Sequence, residues 1–463
     1  MFSKSVWGVS YFIYIFNGNF YCGGNIGSGC IDSVVKYKYI NWYSWFITII
    51  VFRSVLILLL YGYYGLLHNI NLSGCEGVWN SYFIVDFVGF YLRVLTILLL
   101  FSLSYVYNKL SSSSILFIVI RVSSSLLCFG SKNVFMFWWF YEVSILSLLY
   151  LIILESPYSE RFLASWYLAG YVVLTSLPMM VCLIYFVIES GRLVMREWNL
   201  GDKVLNSEVA VILGLLFVTK IPIFPFHVWL PIVHAEATSV VSVCLSGYIM
   251  KLGLLGVCRF SWWVIPTHLF NRSYVRVALL LSLLFFLIAS WELDGKRWLA
   301  FIRLAHIVIC MVCLKSAFYK KSGLMLVYSV GHGLSAGLVF IYLWWGYEML
   351  GSRNWMVLKS LLGGRLLYRQ LICLSLCTAA SFPFVVQFFV EVGMLARVRV
   401  NSFFIFLIFC FYIFLGSLVP LFLVGLLLSR QFCVNFSSHG STVKFSNCVV
   451  YFIVWSFFIC LVI

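Results

Sequence analysis

Along this chain apolar residues run in long stretches, nearly end to end, separated by short clusters of Gly, Asn, Ser and charged residues. A helix needs ~20 apolar residues to cross a bilayer. Runs of that kind fall at residues 5–17, 42–62, 82–106, 113–129, 133–154, 165–189, 208–226, 239–258, 275–291, 297–316, 322–347, 370–396, 402–428 and 446–463. They predict an all-α polytopic membrane protein with about fourteen transmembrane helices. The first run, Val6 to Phe16, lacks a small-residue cleavage site and passes into Asn17, Gly18 and Asn19, so it reads as a span and not a signal peptide.

Proline interrupts two of these runs. Pro222 and Pro225 lie in IPIFPFHVWLP, and Pro383 lies in AASFPFVVQFFVE. A proline at mid-span removes a backbone hydrogen bond and frees a carbonyl. Each break falls late in a block of five spans, and helices broken at corresponding places in two halves mark inverted repeats around a binding site. The expected organisation is N-terminal spans over 1–112, a first five-helix repeat over 113–260, a second over 261–429, and a C-terminal loop and helix over 430–463. Chance placement is the competing explanation, because proline is common in membrane helices.

Composition narrows the class further. Hydrophobic residues make up 63% and charged residues 10% of 463 positions, with a mean hydropathy of +1.04, which no soluble domain of this size shows. The net charge of +16 is dispersed through loops and not gathered beside stacking aromatics, which points to membrane lipids and away from nucleic acid. Fifteen cysteines are scattered singly through apolar runs, and the one C-x-x-C, Cys310 with Cys313, has no second pair to complete a metal site. The pairing of 44 Phe with 8 Pro suggests a uridine-rich, cytidine-poor genome of the organellar kind. There is no P-loop, H-E-x-x-H or G-x-S-x-G, so soluble enzymatic chemistry has no carrier here.

The chemistry must then lie in charges at membrane depth. Glu142, Lys220, Lys251 and Glu391 sit nearest the centres of their runs. Each costs ~2.5–3.5 kcal/mol on insertion, or ~10–14 kcal/mol for four unpaired groups, so each is kept for a reason. Burial disfavours the charged form of both lysine and glutamate, and an opposite charge nearby restores it, so Glu142 beside Lys220 would be a tunable proton store. Lys220, His227 and His234 are spaced by seven on what would be one face of an unbroken helix. His227 and His234 are either proton relays or interfacial residues bonded to carbonyls that the prolines free. His306 and His332 lie in later spans, His332 beside the close-approach motif of Gly333 and Gly337, and each is a relay or a packing residue. Asp86 and Arg93 are a candidate pair, Arg53, Arg121 and Arg303 are candidates to reach headgroups, and Glu236 is expected in a water-facing loop.

The run FVTKIPIFPFHVWLPIVHAEA from Phe217 to Ala237, with Lys251 in YIMKLGLLGVCR, resembles the antiporter-like subunits of respiratory complex I. That superfamily also includes subunits of multisubunit sodium/proton antiporters and membrane-bound hydrogenases. WFYEVSILSLLYLIILESPYSERFLASWYL and LDGKRWLAFIRLAHIVI are similar to its fifth helix with the loop that follows and to the approach to its tenth helix, and the resemblance runs from about Asp86 to Leu428. Length, span count and an acidic residue in the twelfth helix, here Glu391, fit one branch of the family. The resemblance implies a charge pair of Glu142 and Lys220, a central axis of Lys251, His306 and His332, and a terminal Glu391. It further implies proton translocation in the mitochondrial inner membrane within an NADH:ubiquinone oxidoreductase, beside other membrane-arm subunits. On that reading NADH, flavin, iron–sulfur clusters and ubiquinone belong to other chains, and no redox centre or metal belongs to this one. An antiporter subunit working without a dehydrogenase is the alternative. Ser144, Ile145, Leu146 and Thr238 stand where the family usually has prolines, which leaves helix geometry there open.

Overall fold

Each apolar run within the described residues becomes a helix, since only an internally bonded backbone is tolerated in hydrocarbon. The computed structural model describes residues 82–462 except 85, 107–108, 157–158, 196–197, 199–205, 262–269, 317–322, 361–365, 402 and 430–442. The runs expected at 5–17 and 42–62, and Arg53, lie outside the described residues. In chain order the helices are α1 (Phe87–Ser104), α2 (Ser112–Cys128), α3 (Val134–Glu155), α4 (Arg161–Ser190), α5 (Ser207–Val218), α6 (Trp229–Glu236) and α7 (Ser239–Phe260). They continue with α8 (Arg272–Trp291), α9 (Gly295–Ser316), α10 (Gly323–Leu350), α11 (Leu366–Ala379), α12 (Val386–Asn401), α13 (Phe403–Leu428) and α14 (Val443–Val462). Seven of these elements are long and apolar enough to cross a membrane by length and composition.

Polar punctuation in the sequence supplies the caps. Asp86 accepts from Gly89 N at 2.9 Å at the start of α1, Ser111 from Ser114 N at 3.1 Å at α2, and Asn133 from Phe135 N at 3.0 Å at α3. Asn206 and Asn271 do the same for α5 and α8, and Gly191, with φ of 69°, ends α4.

Three helices form the interior. Burial covers 100% of the apolar window of α7, 94% of that of α10 and 89% of that of α9, against 28% for α4 and 39% for α8 and α13. The outer helices expose large side chains such as Trp166 and Ile188, as a lipid-facing surface requires. Helix α10 is the hub and packs against α1, α7, α9, α11, α12 and α14.

Both proline-bearing runs are broken. The first leaves helix geometry after Val218 and re-enters it at Trp229, with a cis Phe224–Pro225 bond between. The second is interrupted between Ala379 and Val386, where Ser381 and Phe384 take φ of 52° and 81°. Two helices also contain π-turns, Ala169–Val173 within the outer α4 and Leu245–Ile249 within the interior α7, which ends in another at Val257–Ser261.

The expected pairing of Asp86 with Arg93 is not made. Asp86 caps α1 and pairs with Arg259 at 3.0 Å, while Arg93 donates to Ile84 O at 2.9 Å. The last turn of α7 brings the Arg259 cation closer to Asp86 than two turns of α1 bring Arg93. Nor do Arg121 and Arg303 reach headgroups, being 0% and 1% exposed. Arg121 donates to Ser144 O at 2.9 Å and Cys244 O at 3.2 Å, tying α2 to α3 and α7. Glu236 ends α6 and is buried, since Ser156 bonds its carbonyl from the α3 side.

Helix α7 comes close enough to the first break to require glycine. A Cβ on Gly253 would stand 2.8 Å from Ile221 Cγ1 and 3.1 Å from both Lys220 Cβ and Phe217 O. Gly253→Ala is expected to destabilise by about 1–3 kcal/mol through overpacking, read as a lower thermal midpoint of the detergent-solubilised protein.

Candidate functional site: a buried chain of ionisable side chains

Lys220 sits at the first residues of the α5 break, fully buried, where the backbone has just left the helix. Its ammonium donates to Val172 O at 2.5 Å and to Thr175 Oγ1. Val172 belongs to the π-turn of α4, where the wider turn disturbs the usual carbonyl pairing. The Tyr141 ring lies beneath the same ammonium, 5.9 Å from its centroid. The next residue, Glu142 on α3, is buried and within electrostatic reach of Lys220, but the two make no ion pair within 4 Å. The expected charge pair is therefore a separated one: the lysine is solvated by oxygen dipoles and senses the carboxylate at longer range.

Lys251 repeats this arrangement on α7. Its ammonium donates to Ser246 O at 3.0 Å, a carbonyl of the second π-turn, and meets His332 Nδ1 at 3.3 Å. With Lys251 protonated, Nδ1 is the acceptor and the ring proton of His332 resides on Nε2. From His332 the ring of His306 is 6.3 Å away, and the Tyr328 ring stacks at 6.1 Å. Tyr328 Oη contacts the His306 carbonyl at 3.2 Å and Glu391 Oε1 at 3.5 Å, and Ser381 Oγ donates to the same carboxylate oxygen at 2.9 Å. Ser381 is the φ-positive residue of the second break, so that break delivers a donor to Glu391 as the first presents Lys220. Phe286 and Tyr412 close the pocket around His306.

The structure thus brings together Lys251, His332, His306 and Glu391 in one connected interior, with Tyr328 as the link. It separates the other two histidines. His227 is half-buried against Phe285, with ring centroids 5.0 Å apart, because the prolines turn it off the face that Lys220 occupies. His234 is fully buried and stacked on Phe340 at 4.9 Å, within electrostatic reach of Lys296 and Arg303.

Sequence reading missed several members of this interior. Arg303 is buried beside His332 and donates to its carbonyl and to Ser335 Oγ, the latter at 3.3 Å. The signal was present, since Arg303 and His306 are three apart on a helix and share a face. Lys296, at the start of α9, looks like a loop charge but is buried and donates to Ala237 O at 2.7 Å. Thr175, Tyr328, Ser381 and Gln387 carry no signal that separates them from packing residues. The Gln387 amide lies 3.1 Å from His332 N and 3.2 Å from Thr378 O, and assigning its oxygen to the first and its nitrogen to the second satisfies both ends.

Fold and site together define a polytopic helical membrane protein whose interior buries two groups of ionisable side chains, Lys220 with Glu142, and Lys251 with His332, His306 and Glu391. Residues 131–416, more than half of the chain, match the family described as NADH:quinone oxidoreductase/Mrp antiporter, TM, and the chain belongs to that family. It is 30% identical over 258 residues to the NADH-ubiquinone oxidoreductase chain 4 of Ceratitis capitata, covering 55% of this chain and 57% of that relative. The chain spans about half the length of the curated relatives it matches first. A chain of respiratory complex I from Thermus thermophilus shares the fold with a TM-score of 0.71 at 17% identity, over 81% of both chains. A chain of the Mrp complex from Dietzia sp. does so with a TM-score of 0.67 at 13% identity, over 86% of this chain and 77% of that one.

Thr175 offers a test of the Lys220 site. Thr175→Val removes a hydroxyl acceptor from a buried ammonium and is expected to cost about 1–3 kcal/mol, whereas Thr175→Ser keeps the oxygen and should stay near the parent. Thermal unfolding of the three forms in the same detergent distinguishes them.

Proposed function

We propose that this chain is a proton-translocating membrane-arm subunit of respiratory complex I in the mitochondrial inner membrane, in the position that its relatives named chain 4 occupy. The observation that carries the reading is the buried sequence of Lys251, His332, His306, Tyr328 and Glu391, which are linked by contacts of hydrogen-bond and ring-stacking range across three interior helices and α12. Family membership and the complex I fold support it. In this reading the chain takes part in NADH:ubiquinone oxidoreduction without a redox centre of its own. NADH, flavin, iron–sulfur clusters and ubiquinone sit on partner subunits, and neighbouring antiporter-like subunits and lipids flank it. On this reading the chain has about fourteen spans, with two inverted five-helix repeats over 113–260 and 261–429.

Glu142 and Lys220 act as the first charge couple, and Lys251 with His306 and His332 forms the central axis that Glu391 terminates. His227 and His234 are candidate side relays. A charge arriving near Glu142 changes the field at Lys220, and the lysine releases or holds its proton in response. Moving one charge against 100 mV costs ~2.3 kcal/mol. A change of two units in proton affinity at one buried group supplies ~2.7 kcal/mol, so a modest electrostatic switch is enough.

The second reading, a subunit of a sodium/proton antiporter without a dehydrogenase, is favoured by the likeness to the Mrp chain. Native-gel separation of mild-detergent membranes separates the two. Co-migration of this chain with NADH dehydrogenase activity in a very large assembly is expected, and migration apart from that activity would select the antiporter.

Within the assembled complex, Lys251→Met and Glu142→Gln are expected to lower proton pumping and the coupled quinone reductase activity while leaving assembly largely intact. Unchanged pumping in both would remove these residues from the mechanism.

A further inference from the structure

Arg303 stands in this interior without a countercharge, and we propose that it is a fixed positive charge that governs how many protons the axis holds. It is a positioning residue acting through Lys251, His332 and His306. The inference rests on the reading of those groups as proton carriers.

The guanidinium is 1% exposed and makes no ion pair with any described Asp or Glu within 4 Å. It donates to the His332 carbonyl and, at 3.3 Å, to Ser335 Oγ, and its Nε makes no hydrogen bond among the described residues. The lysines sit at helix breaks and π-turns, but Arg303 does not repair one. Helix α10 runs unbroken from Gly323 to Leu350, so the His332 carbonyl already lies within a regular hydrogen-bonded turn. Backbone satisfaction therefore gives no reason for a cation at this point, and a neutral donor would serve the same two oxygens.

The groups facing Arg303 come from every surrounding element. They are His306 on its own helix α9, Tyr328 and His332 on α10, Lys251 on α7 and His234 on α6, with Cys310 on α9 facing Lys251. Tyr328 leads on to Glu391 on α12 and lies beside Tyr412 on α13. Every basic group in that set is within electrostatic reach of Arg303. A guanidinium keeps its proton at any working pH, so its charge does not vary through a cycle. It opposes each proton added to Lys251, His332 and His306, and the opposition grows with each proton already present. The axis is thereby biased toward low proton occupancy, so that a proton delivered from one side is readily passed on.

Three variants in the intact membrane complex test this. Arg303→Gln keeps donors for the His332 carbonyl and Ser335 but removes the charge. Ser335→Asp keeps the arginine and gives it a carboxylate. Arg303→Lys keeps the charge. The readout is the pH dependence of NADH-driven proton pumping and quinone reduction. Without net positive charge the axis holds its protons to higher pH, so the alkaline limb is expected to move upward by about one pH unit in Arg303→Gln and Ser335→Asp. In Arg303→Lys it should stay with the parent.

An assembled Arg303→Gln or Ser335→Asp complex with the parental pH profile overturns the inference. So does failure of all three to assemble, which would make Arg303 a packing residue. Lys251→Met run alongside separates the two levels. A silent Arg303→Gln beside a pump-deficient Lys251→Met rejects this inference alone, while a fully pumping Lys251→Met rejects the reading it rests on.

Discussion

An ammonium group inside a helical membrane bundle must be solvated by oxygen atoms, and a carbonyl released from regular pairing is the readiest of them, because a carbonyl in a regular turn has only its second lone pair left to offer. The arrangement around Lys220 and Lys251 follows from that constraint. Each lysine points at a carbonyl of a π-turn, Val172 in α4 and Ser246 in α7, where the backbone has departed from regular pairing. Leaving a buried charge unsatisfied costs several kcal/mol, so the irregular turn and the lysine stabilise one another. The proline break before Trp229 serves the same end by ending α5 just before Lys220. Irregular backbone at membrane depth is tolerated where protein surrounds it, and α7 is the most completely buried helix of the set.

Helix α10 converts these separate sites into one interior. It carries His332 toward Lys251, Tyr328 toward Glu391 and Ser335 toward Arg303, and the α11–α12 break supplies Ser381 from the opposite side. Polar networks of this kind hold their shape because each member is both packed and hydrogen-bonded, so removing one leaves its neighbours unsatisfied. The two buried arginines add fixed charge at defined points. Arg121 fastens α2 to the carbonyls of Ser144 and Cys244, two residues from Glu142 and one from the second π-turn, so the elements bearing Glu142 and Lys251 share a clamp.

Much of this was legible in the sequence. Helical class, the approximate positions of the helices within the described residues and both proline breaks follow from hydropathy and from proline's missing N–H, which act locally and need no knowledge of neighbours. The costly mid-span charges Glu142, Lys220, Lys251 and Glu391 announce themselves for the same reason, since an apolar run makes a lone ionisable group conspicuous. Tertiary structure decided which of these groups meet. Spacing by seven grouped Lys220, His227 and His234 on one face, but the prolines rotate them into three different environments. Asp86 took Arg259, 173 residues away, in preference to Arg93 on its own helix. Lys296 looked like a loop residue until a neighbouring helix end covered it. The chain alone determines where charge must be buried, because transfer into hydrocarbon is a property of each residue. Only packing determines what solvates that charge, because the acceptors are carbonyls and hydroxyls of ordinary residues that become special by position.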